Sequence, residues 1–155
     1  MKAIRIIAVG KLKTAHWKAA ADHYLTRLNR AFKIDETIIK DGNAALPAAE
    51  RNAQEGERIL AALAPQDLPI CMDELGKQFT SQNFSAFLAP MWEDANRRPC
   101  FIIGGAYGLS DAVRDVARHT IALSGMTFPH EMARVILYEQ LYRADAIIKG
   151  TPYHH

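Results

Sequence analysis

The sequence predicts an α/β protein with a mainly parallel sheet of about five strands flanked by helices. Short runs rich in β-branched residues alternate along the chain with longer segments whose apolar residues recur at helical spacing. Two of the short runs, ending at Ile103 and Leu123, lead directly into loops of small residues, as buried strands of such a sheet do. We expect one domain covering residues 1–155, because this length suits a single hydrophobic core.

The composition is that of an ordinary packed protein, with 49% hydrophobic residues, 23% charged residues and a net charge of +2. This balance neither indicates nor excludes nucleic-acid binding through a local basic patch. The N-terminus is too short and too charged for a signal peptide, and no apolar run approaches the roughly 20 residues of a membrane span. We therefore expect a cytoplasmic protein with no membrane segment. Cys71 and Cys100 are expected to be buried thiols of a reduced, cytoplasmic protein; a disulfide between them is the disfavoured alternative, and two lone cysteines do not make a metal site.

In the first half of the chain, the pattern predicts strands over residues 3–9 and 34–39 and helices over residues 16–32 and 47–63. The first strand ends at Gly10, and Pro47 suits the first turn of the second helix. The inward face of that helix is expected to contain Ala49, Ala53, Gly56, Ile59, Leu60 and Leu63. Its acidic residues are then expected on the solvated face, beside Arg51 and Arg58; they are Glu50, Glu55 and Glu57.

In the second half, strands are predicted over residues 68–72, 101–103 and 120–123. A helix capped by Thr80 or Ser81 separates the first two of these strands, and Pro90 is expected to kink or shorten it. A short helix over residues 110–118 follows, and residues 96–99 form a polar link. The last helix begins at Pro129 and ends at a Gly150 cap, and Pro152 prevents its continuation.

The stretch FIIGGAYGLS, residues 101–110, reads as a buried strand that delivers a glycine loop to a helix N-terminus at Ser110. Glycines there permit positive φ or the close approach of a ligand. The segment IALSGMTFPH, residues 121–130, ends in the same way, and Met72 and Asp73 end a third strand. The carboxyl ends of parallel strands meet at one edge of a sheet, so these loops predict one shared pocket. For Asp73, a plain solvated strand end weighs equally with a place in that pocket.

Most familiar site motifs are absent from this sequence. It has no P-loop, no dinucleotide-binding glycine fingerprint after the first strand, no nucleophile elbow and no Cys/His metal spacing. A ligand held by backbone atoms in strand-end loops, without a lysine cradle for phosphates, fits this pattern. Adenosyl compounds meet that description, because loop amides, carbonyls and apolar side chains can hold adenine and a methionine-like chain.

Several basic residues leave alternatives open. Lys11, Lys13 and Lys18 follow the first strand, and a solvated loop is favoured there over an RNA-contacting patch. Arg134 and Arg143 lie in apolar surroundings, so each is either a member of an ion pair or a phosphate contact. The tail TPYHH, residues 151–155, is either a disordered end or a base-stacking and proton-handling segment.

Taken together, these segments resemble the RlmH family of ribosomal RNA methyltransferases, which belongs to the SPOUT class. The resemblance rests on FIIGGAYGLS, ALSGMTFPH, the helix EMARVILYEQLYRA over residues 131–144 and the closing PYH, and it extends to the start IIAVGKL. It covers essentially the whole chain. It implies a five-stranded parallel sheet with a C-terminal trefoil knot, and a homodimer with its active site at the subunit interface.

The same resemblance implies methylation of N3 of a pseudouridine in a stem-loop of large-subunit rRNA on the assembled ribosome, with S-adenosylmethionine as cofactor and no metal. The positions that match the family's cofactor loops are Met72, Gly104, Gly105, Leu123, Ser124, Gly125, Met126, Thr127 and Phe128. Only the backbone of Gly125 is carried over, and His155 departs from the family pattern and receives no role.

The imino proton of pseudouridine must leave before or during methyl transfer, so a general base or a group that stabilises the deprotonated ring is expected. The candidate catalytic residues are His130, Arg134, Arg143, Tyr153 and His154. His130 could instead cap its helix, and Arg143 could anchor the tail. The competing functions are a non-catalytic ribosome-binding or assembly protein with the same fold and a nucleotide-dependent enzyme with a generic α/β sheet.

Overall fold

The computed structural model describes all residues, 1–155, and strands alternate with helices along the chain. Its five strands are all parallel and lie in the order β2-β1-β4-β3-β5, which confirms the predicted sheet. The strands are β1 Lys2–Val9, β2 Phe32–Ile39, β3 Asp67–Gln78, β4 Arg98–Ile103 and β5 His119–Ala122. The helices are α1 Ala15–Leu28, α2 Ala48–Ala62, α3 Ser81–Glu93, α4 Asp111–Val116 and α5 His130–Lys149.

The helices cover both faces of the sheet and enclose two apolar cores. On one face α1, α3 and α5 pack around Tyr138 and Leu88, both fully buried. On the other face α2 and α4 pack around Ile59 and Val113. Helices that follow the neighbouring strands β3 and β4 thus lie on opposite faces, an arrangement that opens a crevice at the carboxyl ends of these strands.

The predicted helix ends are confirmed where a capping residue marks them. The Thr80 hydroxyl accepts a hydrogen bond from the Asn83 N–H at the start of α3, and the Ser110 hydroxyl accepts one from the Val113 N–H at the start of α4. Gly150 ends α5 with a φ of +68°. Pro90 does not end α3, which continues through Glu93. Helix α4 ends at Val116 and is therefore shorter than the predicted helix over residues 110–118.

The predicted extent of the first helix is wrong. Helix α1 ends at Leu28, and Phe32 is the first residue of β2, where it pairs with Lys2. The Phe32 ring is buried against Trp92, with the two ring centroids 4.7 Å apart. Helical spacing alone could not separate an inward helix position from an inward strand position so close to the helix end.

Strand β3 is longer than predicted and continues to Gln78 instead of ending at Met72. Met72 pairs with Ile121, and after a register shift Lys77 pairs with the same residue, so residues 73–76 form an irregular excursion. Gly76 passes so close to β5 that a Cβ there would lie 2.7 Å from the Ile121 nitrogen. The β4 strand also begins earlier than predicted, at Arg98, within the expected polar link.

The prediction that Glu55 lies on a solvated helix face is wrong, as is the inward placement of Ala49 and Ala53. Glu55 is only 2% exposed, whereas both alanines are exposed. Helix α2 packs so closely on the start of α4 that a Cβ on Gly56 would lie 2.3 Å from the Ser110 hydroxyl oxygen. The neighbouring Glu55 carboxylate faces the loop after β4, where a Cβ on Gly105 would lie 3.1 Å from it.

Both cysteines are buried free thiols, as predicted. Burial raises the pKa of Cys71 to about 11 and that of Cys100 to about 12, so both thiols stay protonated at neutral pH. None of the helices combines the length and apolar character that a membrane crossing requires.

Candidate active site

A cavity of about 610 Å³ opens where residues 72–75 of β3 meet the carboxyl ends of β4 and β5. It brings together the three strand-end loops that the sequence predicts to share a pocket. The predicted cofactor positions that line it are Met72, Gly104, Gly105, Leu123, Ser124, Met126, Thr127 and Phe128. Gly125 does not line it. Asp73 does, so the alternative of a plain solvated strand end is wrong.

The glycine loop after β4 folds back on itself. The Gly108 N–H donates to the Gly105 carbonyl over 3.1 Å, and Gly108 has a φ of +77°. At Gly104, a Cβ would lie 2.6 Å from the Gly108 carbonyl oxygen. Gly104 is therefore required for the close approach of two backbone segments, and Gly108 for its left-handed conformation. The turn presents the backbone of its glycines to the cavity, together with the side chains of Ala106 and Tyr107.

Helix α2 supports the back of this loop. The Asn52 side-chain amide donates to the Tyr107 carbonyl over 3.0 Å, and the Arg51 guanidinium lies 5.5 Å from the centroid of the Tyr107 ring. A Cβ on Gly105 would lie 3.1 Å from a Glu55 carboxylate oxygen. Burial raises the pKa of Glu55, only partly offset by the nearby Arg51 charge. Neither carboxylate oxygen has a hydrogen-bond partner.

Two polar contacts join the other cavity loops. The Arg114 guanidinium of α4 lies 2.7 Å from the carboxylate of Asp73, in the β3 excursion. The Thr127 hydroxyl donates to the carboxylate of Glu74. Three large apolar side chains of the cavity are mainly exposed to solvent: Leu75, Tyr107 and Met126. The cavity therefore has a fixed polar framework and an apolar rim.

The first turns of α5 form one wall of the cavity, through His130 and Ala133. Arg134 points away from the cavity into the core and is only 2% exposed. Its Nη2 donates to the Gly10 carbonyl over 2.6 Å, its Nε has no partner, and no carboxylate forms an ion pair with it. The ion-pair alternative for Arg134 is therefore wrong, and it anchors the end of β1.

Arg143, Tyr153 and His154 form a separate cluster around Glu139. Arg143 lies 2.9 Å from the Glu139 carboxylate through its Nε, and the Tyr153 hydroxyl donates to that carboxylate over 3.1 Å. His154 Nδ1 lies 3.2 Å from Arg143 Nη1, and the guanidinium lies 4.8 Å from the Tyr153 ring centroid. The tail is therefore packed on α5, which matches the alternative that Arg143 anchors it.

This tail cluster contributes nothing to the cavity of its own chain. Arg143 follows His130 on α5 at a distance of roughly 20 Å along the helix axis. Burial and the Glu139 charge raise the pKa of Tyr153, so its hydroxyl stays protonated at neutral pH. Within one chain, the predicted cofactor positions and the predicted tail residues are two separate groups.

Sequence reasoning assigned no role to several residues of this site. Glu74, Tyr107 and Arg114 line the cavity, and Asn52 and Glu55 support it from behind. Glu74 follows a predicted strand end by two residues, which was a usable signal. Arg114 had no such signal, because its contact with Asp73 joins segments far apart in the sequence. No group of three or more His, Cys, Asp or Glu side chains is arranged to hold a metal ion.

An α/β sheet with a cavity built from strand-end loops is the general form of an α/β protein that binds a small molecule or cofactor. The sequence matches the family described as "Predicted SPOUT methyltransferase" over residues 1–154, and the chain belongs to this family. A relative from Oleidesulfovibrio alaskensis named ribosomal RNA large subunit methyltransferase H is 81% identical over 155 residues, covering 100% of both chains. A relative of the same name from Nitratidesulfovibrio vulgaris, strain Miyazaki F, is 58% identical, also covering 100% of both chains. Within the SPOUT class, the chain is thus a member of the RlmH family.

A solved structure supports the fold assignment independently. The SpoU methyltransferase AviRb from Streptomyces viridochromogenes, in complex with the cofactor AdoMet, aligns with a TM-score of 0.51. The alignment covers 93% of this chain and 58% of that one, at 15% sequence identity. At this identity the likeness concerns the fold alone.

Proposed function

We propose that this chain methylates N3 of a pseudouridine in a large-subunit rRNA stem-loop, using S-adenosylmethionine, on the assembled ribosome in the cytoplasm. The single observation that carries this proposal is the cavity at the ends of β3, β4 and β5, in a chain that is 81% identical to a named rRNA methyltransferase over its full length. The choice of N3 of pseudouridine rests on the resemblance of the glycine loop, α5 and the tail to the RlmH family.

The residues of the cavity suit S-adenosylmethionine. A volume of about 610 Å³ lies within the usual range for small-molecule sites, and half of the 20 lining residues are hydrophobic. The backbone of the glycine loop and of residues 123–128 would hold the adenosine part against Met72 and Phe128. The cofactor supplies a methyl group already activated on a positively charged sulfonium, so the protein mainly has to position the target and exclude water.

Proton removal is the step for which this chain must supply a group. His130 is the candidate base, since its side chain lies at the cavity wall and an imidazole can accept the N3 proton as the new N–C bond forms. Arg134, one turn further along α5, would act indirectly: it holds the Gly10 carbonyl and fixes the end of β1 beside the cavity. Arg143, Tyr153 and His154 are candidates to contact the target base or its phosphate.

The distance between the tail cluster and the cavity favours a homodimer. A tail that lies roughly 20 Å from His130 of its own chain can reach a cavity only if it belongs to a second copy. In a two-fold dimer, each cavity would then receive Tyr153 and His154 from the partner chain. We include in this proposal the C-terminal trefoil knot, which rests on the family resemblance.

Methyl transfer to ribosomes tests the proposal directly. Purified protein is incubated with radiolabelled S-adenosylmethionine and ribosomes from a strain that lacks the corresponding gene, and the rRNA is analysed by mass spectrometry. The expected result is one added methyl group on a pseudouridine of the large-subunit rRNA. Absence of transfer, together with absence of saturable S-adenosylmethionine binding, would favour the non-catalytic ribosome-binding protein. Tight binding of ATP or NAD instead would favour the nucleotide-dependent enzyme.

A further inference from the structure

A group of lysines lies beside the cavity at the same edge of the sheet. Lys11 and Lys13 follow β1, Lys40 follows β2, and Lys18 is in the first turns of α1. We call these four residues the lysine rim. All four are exposed, and none of their amino groups forms an ion pair or a hydrogen bond with the protein. Their charges are therefore free to act on a partner.

The position of the rim is fixed from the glycine-loop side. Strands β1 and β4 are neighbours, and Ala8 pairs with Ile103, so the residues that follow each strand lie level with each other. A Cβ on Gly105 would lie 3.1 Å from a Val9 methyl group. Val9 therefore contacts the cavity wall at Gly105, and Lys11 follows Val9 by two residues. The Gly10 N–H donates to the Ile39 carbonyl over 2.8 Å, which ties Lys40 to the same place.

The rim is also fixed from the α5 side. The Glu131 carboxylate accepts hydrogen bonds from the Lys13 N–H, from the Thr14 N–H over 3.2 Å and from the Thr14 hydroxyl over 2.7 Å. Glu131 directly follows His130, which lines the cavity. The Thr14 hydroxyl hydrogen bond, with help from both backbone N–H groups, lowers the pKa of Glu131. Its charge is engaged with the loop backbone and forms no ion pair with a rim lysine.

The overall charge of the protein makes a local basic surface necessary for binding a polyanion. With a net charge of only +2, the protein as a whole attracts RNA weakly. Affinity for a nucleic-acid backbone comes mainly from cations placed on individual phosphates. The opposite edge of the sheet also carries free cations, Lys33 and Arg97, beside a smaller cavity of about 440 Å³, but the glycine loop and His130 are not there.

We infer that the lysine rim binds the phosphate backbone of the RNA segments flanking the target nucleotide, while the target base enters the cavity. This inference rests on the proposed function. It replaces the interpretation of Lys11, Lys13 and Lys18 as a merely solvated loop. A base that is turned into a pocket brings its own phosphate and those of its neighbours to the pocket's edge, where a fixed loop of lysines can hold them.

Salt-dependent binding to ribosomes lacking the modification tests the rim. The Lys11→Ala/Lys13→Ala variant removes two rim charges, and the Lys33→Ala/Arg97→Ala variant removes two charges at the opposite edge. For the rim variant, we expect the slope of log Kd against log salt concentration to fall by about 1.5, and the affinity near 0.1 M salt to fall roughly tenfold or more. Its S-adenosylmethionine affinity, measured by calorimetry, should equal that of the wild type. The control variant should keep the wild-type slope.

A second variant separates charge from placement. Thr14→Val keeps every charge but removes the hydroxyl hydrogen bond that helps hold the loop on Glu131, and it should also weaken ribosome binding while cofactor binding persists. The inference is overturned if the rim variant matches the control, or if it loses affinity without a change of salt slope. Failure of the wild type to methylate ribosomes overturns the proposed function instead. Normal methylation with an unaffected rim variant overturns the rim alone.

Discussion

The Asp73 carboxylate and the Arg114 guanidinium, 2.7 Å apart, join the excursion of β3 to helix α4 across the cavity. The Asp73 side chain is only 8% exposed and that of Arg114 is 39% exposed, so the pair is partly shielded from solvent. This contact holds a strand-end loop and the helix that follows the glycine loop in one arrangement. It is therefore a means by which distant segments form one binding cavity.

Loss of this pair should weaken cofactor binding without unfolding the protein. Arg114→Ala leaves the Asp73 carboxylate without its partner and frees the β3 excursion. Because a charge-assisted hydrogen bond contributes about 1–2 kcal/mol, we expect the Kd for S-adenosylmethionine to rise roughly five- to thirtyfold. Calorimetric titration measures it. Arg30→Ala, which removes an exposed arginine outside the cavity, is the matched control. Equal affinities of the two variants would contradict a role for the pair.

Alanine should be tolerated at Gly125 but not at Gly104, because only Gly104 lies in close contact with another backbone segment. In Gly104→Ala, the new methyl group would lie 2.6 Å from the Gly108 carbonyl oxygen, so the turn has to open. We expect a loss of about 1–3 kcal/mol in the free energy of unfolding, as for other overpacked sites, and impaired cofactor binding. In Gly125→Ala, the methyl group meets only the flexible end of Gln78 at 3.3 Å, so stability should change much less. Denaturant unfolding of both variants provides the comparison, and similar losses would count against this account of the turn.

The buried Glu55 carboxylate should make stability depend on pH. Burial raises its pKa in the folded state above the ordinary value of 4.5, so the folded protein binds this proton more tightly than the unfolded chain does. Below pH 4.5, Glu55 is protonated in both states and does not lower the free energy of unfolding. As the pH rises from there through its folded-state pKa, Glu55 lowers that free energy progressively. Glu55→Gln removes the titration, so its Tm relative to wild type should rise as the pH increases from about 4.5 toward neutrality. A constant difference in Tm across this range would show that Glu55 does not titrate abnormally.

The sequence was sufficient to predict the elements whose signals are local. The apolar run ending at Ile103, the Ser110 cap and the Gly150 cap each specify one strand or helix end through neighbouring residues. The convergence of Met72, the glycine loop and residues 123–128 also follows, because parallel strands place their carboxyl ends at one edge.

The remaining features depend on contacts between distant segments. The extension of β3 to Gln78 depends on pairing with β5, and the burial of Glu55 depends on the fit of Gly56 against Ser110. Neither interaction leaves a periodic trace in the sequence. Similarly, an arginine in apolar surroundings predicted an anionic partner for Arg134. Its partner in the fold is instead the Gly10 carbonyl, which is distant in the sequence.

A buried ion cluster at the amino ends of the strands should dominate local stability. The Asp67 side chain is fully buried and lies 2.6 Å from Arg5 and 2.7 Å from Arg98. Asp67→Asn leaves Arg5 buried without its main counter-charge, so we expect a loss of about 3 kcal/mol or more in the free energy of unfolding. The exposed pair of Lys2 and Glu93 offers a control, since Glu93→Gln should cost less than about 1 kcal/mol. Chemical denaturation of both variants tests the contrast, which fails if the two losses are equal.

The tail should act on the cavity of the partner chain. One variant lacks residues 153–155 but keeps its cavity, and another, Ala133→Phe, blocks its cavity but keeps its tail. Neither variant alone should methylate ribosomes, because the first lacks the tail that contacts the target and the second cannot bind the cofactor. In a random mixture of refolded or co-expressed chains, half of the dimers are mixed and each has one complete site, so about a quarter of wild-type methyl transfer should return.

This recovery distinguishes action in trans from action in cis. If Tyr153 and His154 served the cavity of their own chain, no mixed dimer would contain a complete site, and activity would stay absent. The tail-deleted chain should still bind S-adenosylmethionine, because it keeps every residue that lines its own cavity. Full activity of that chain alone would instead leave the tail as a structural extension of α5, held by Glu139 and Arg143.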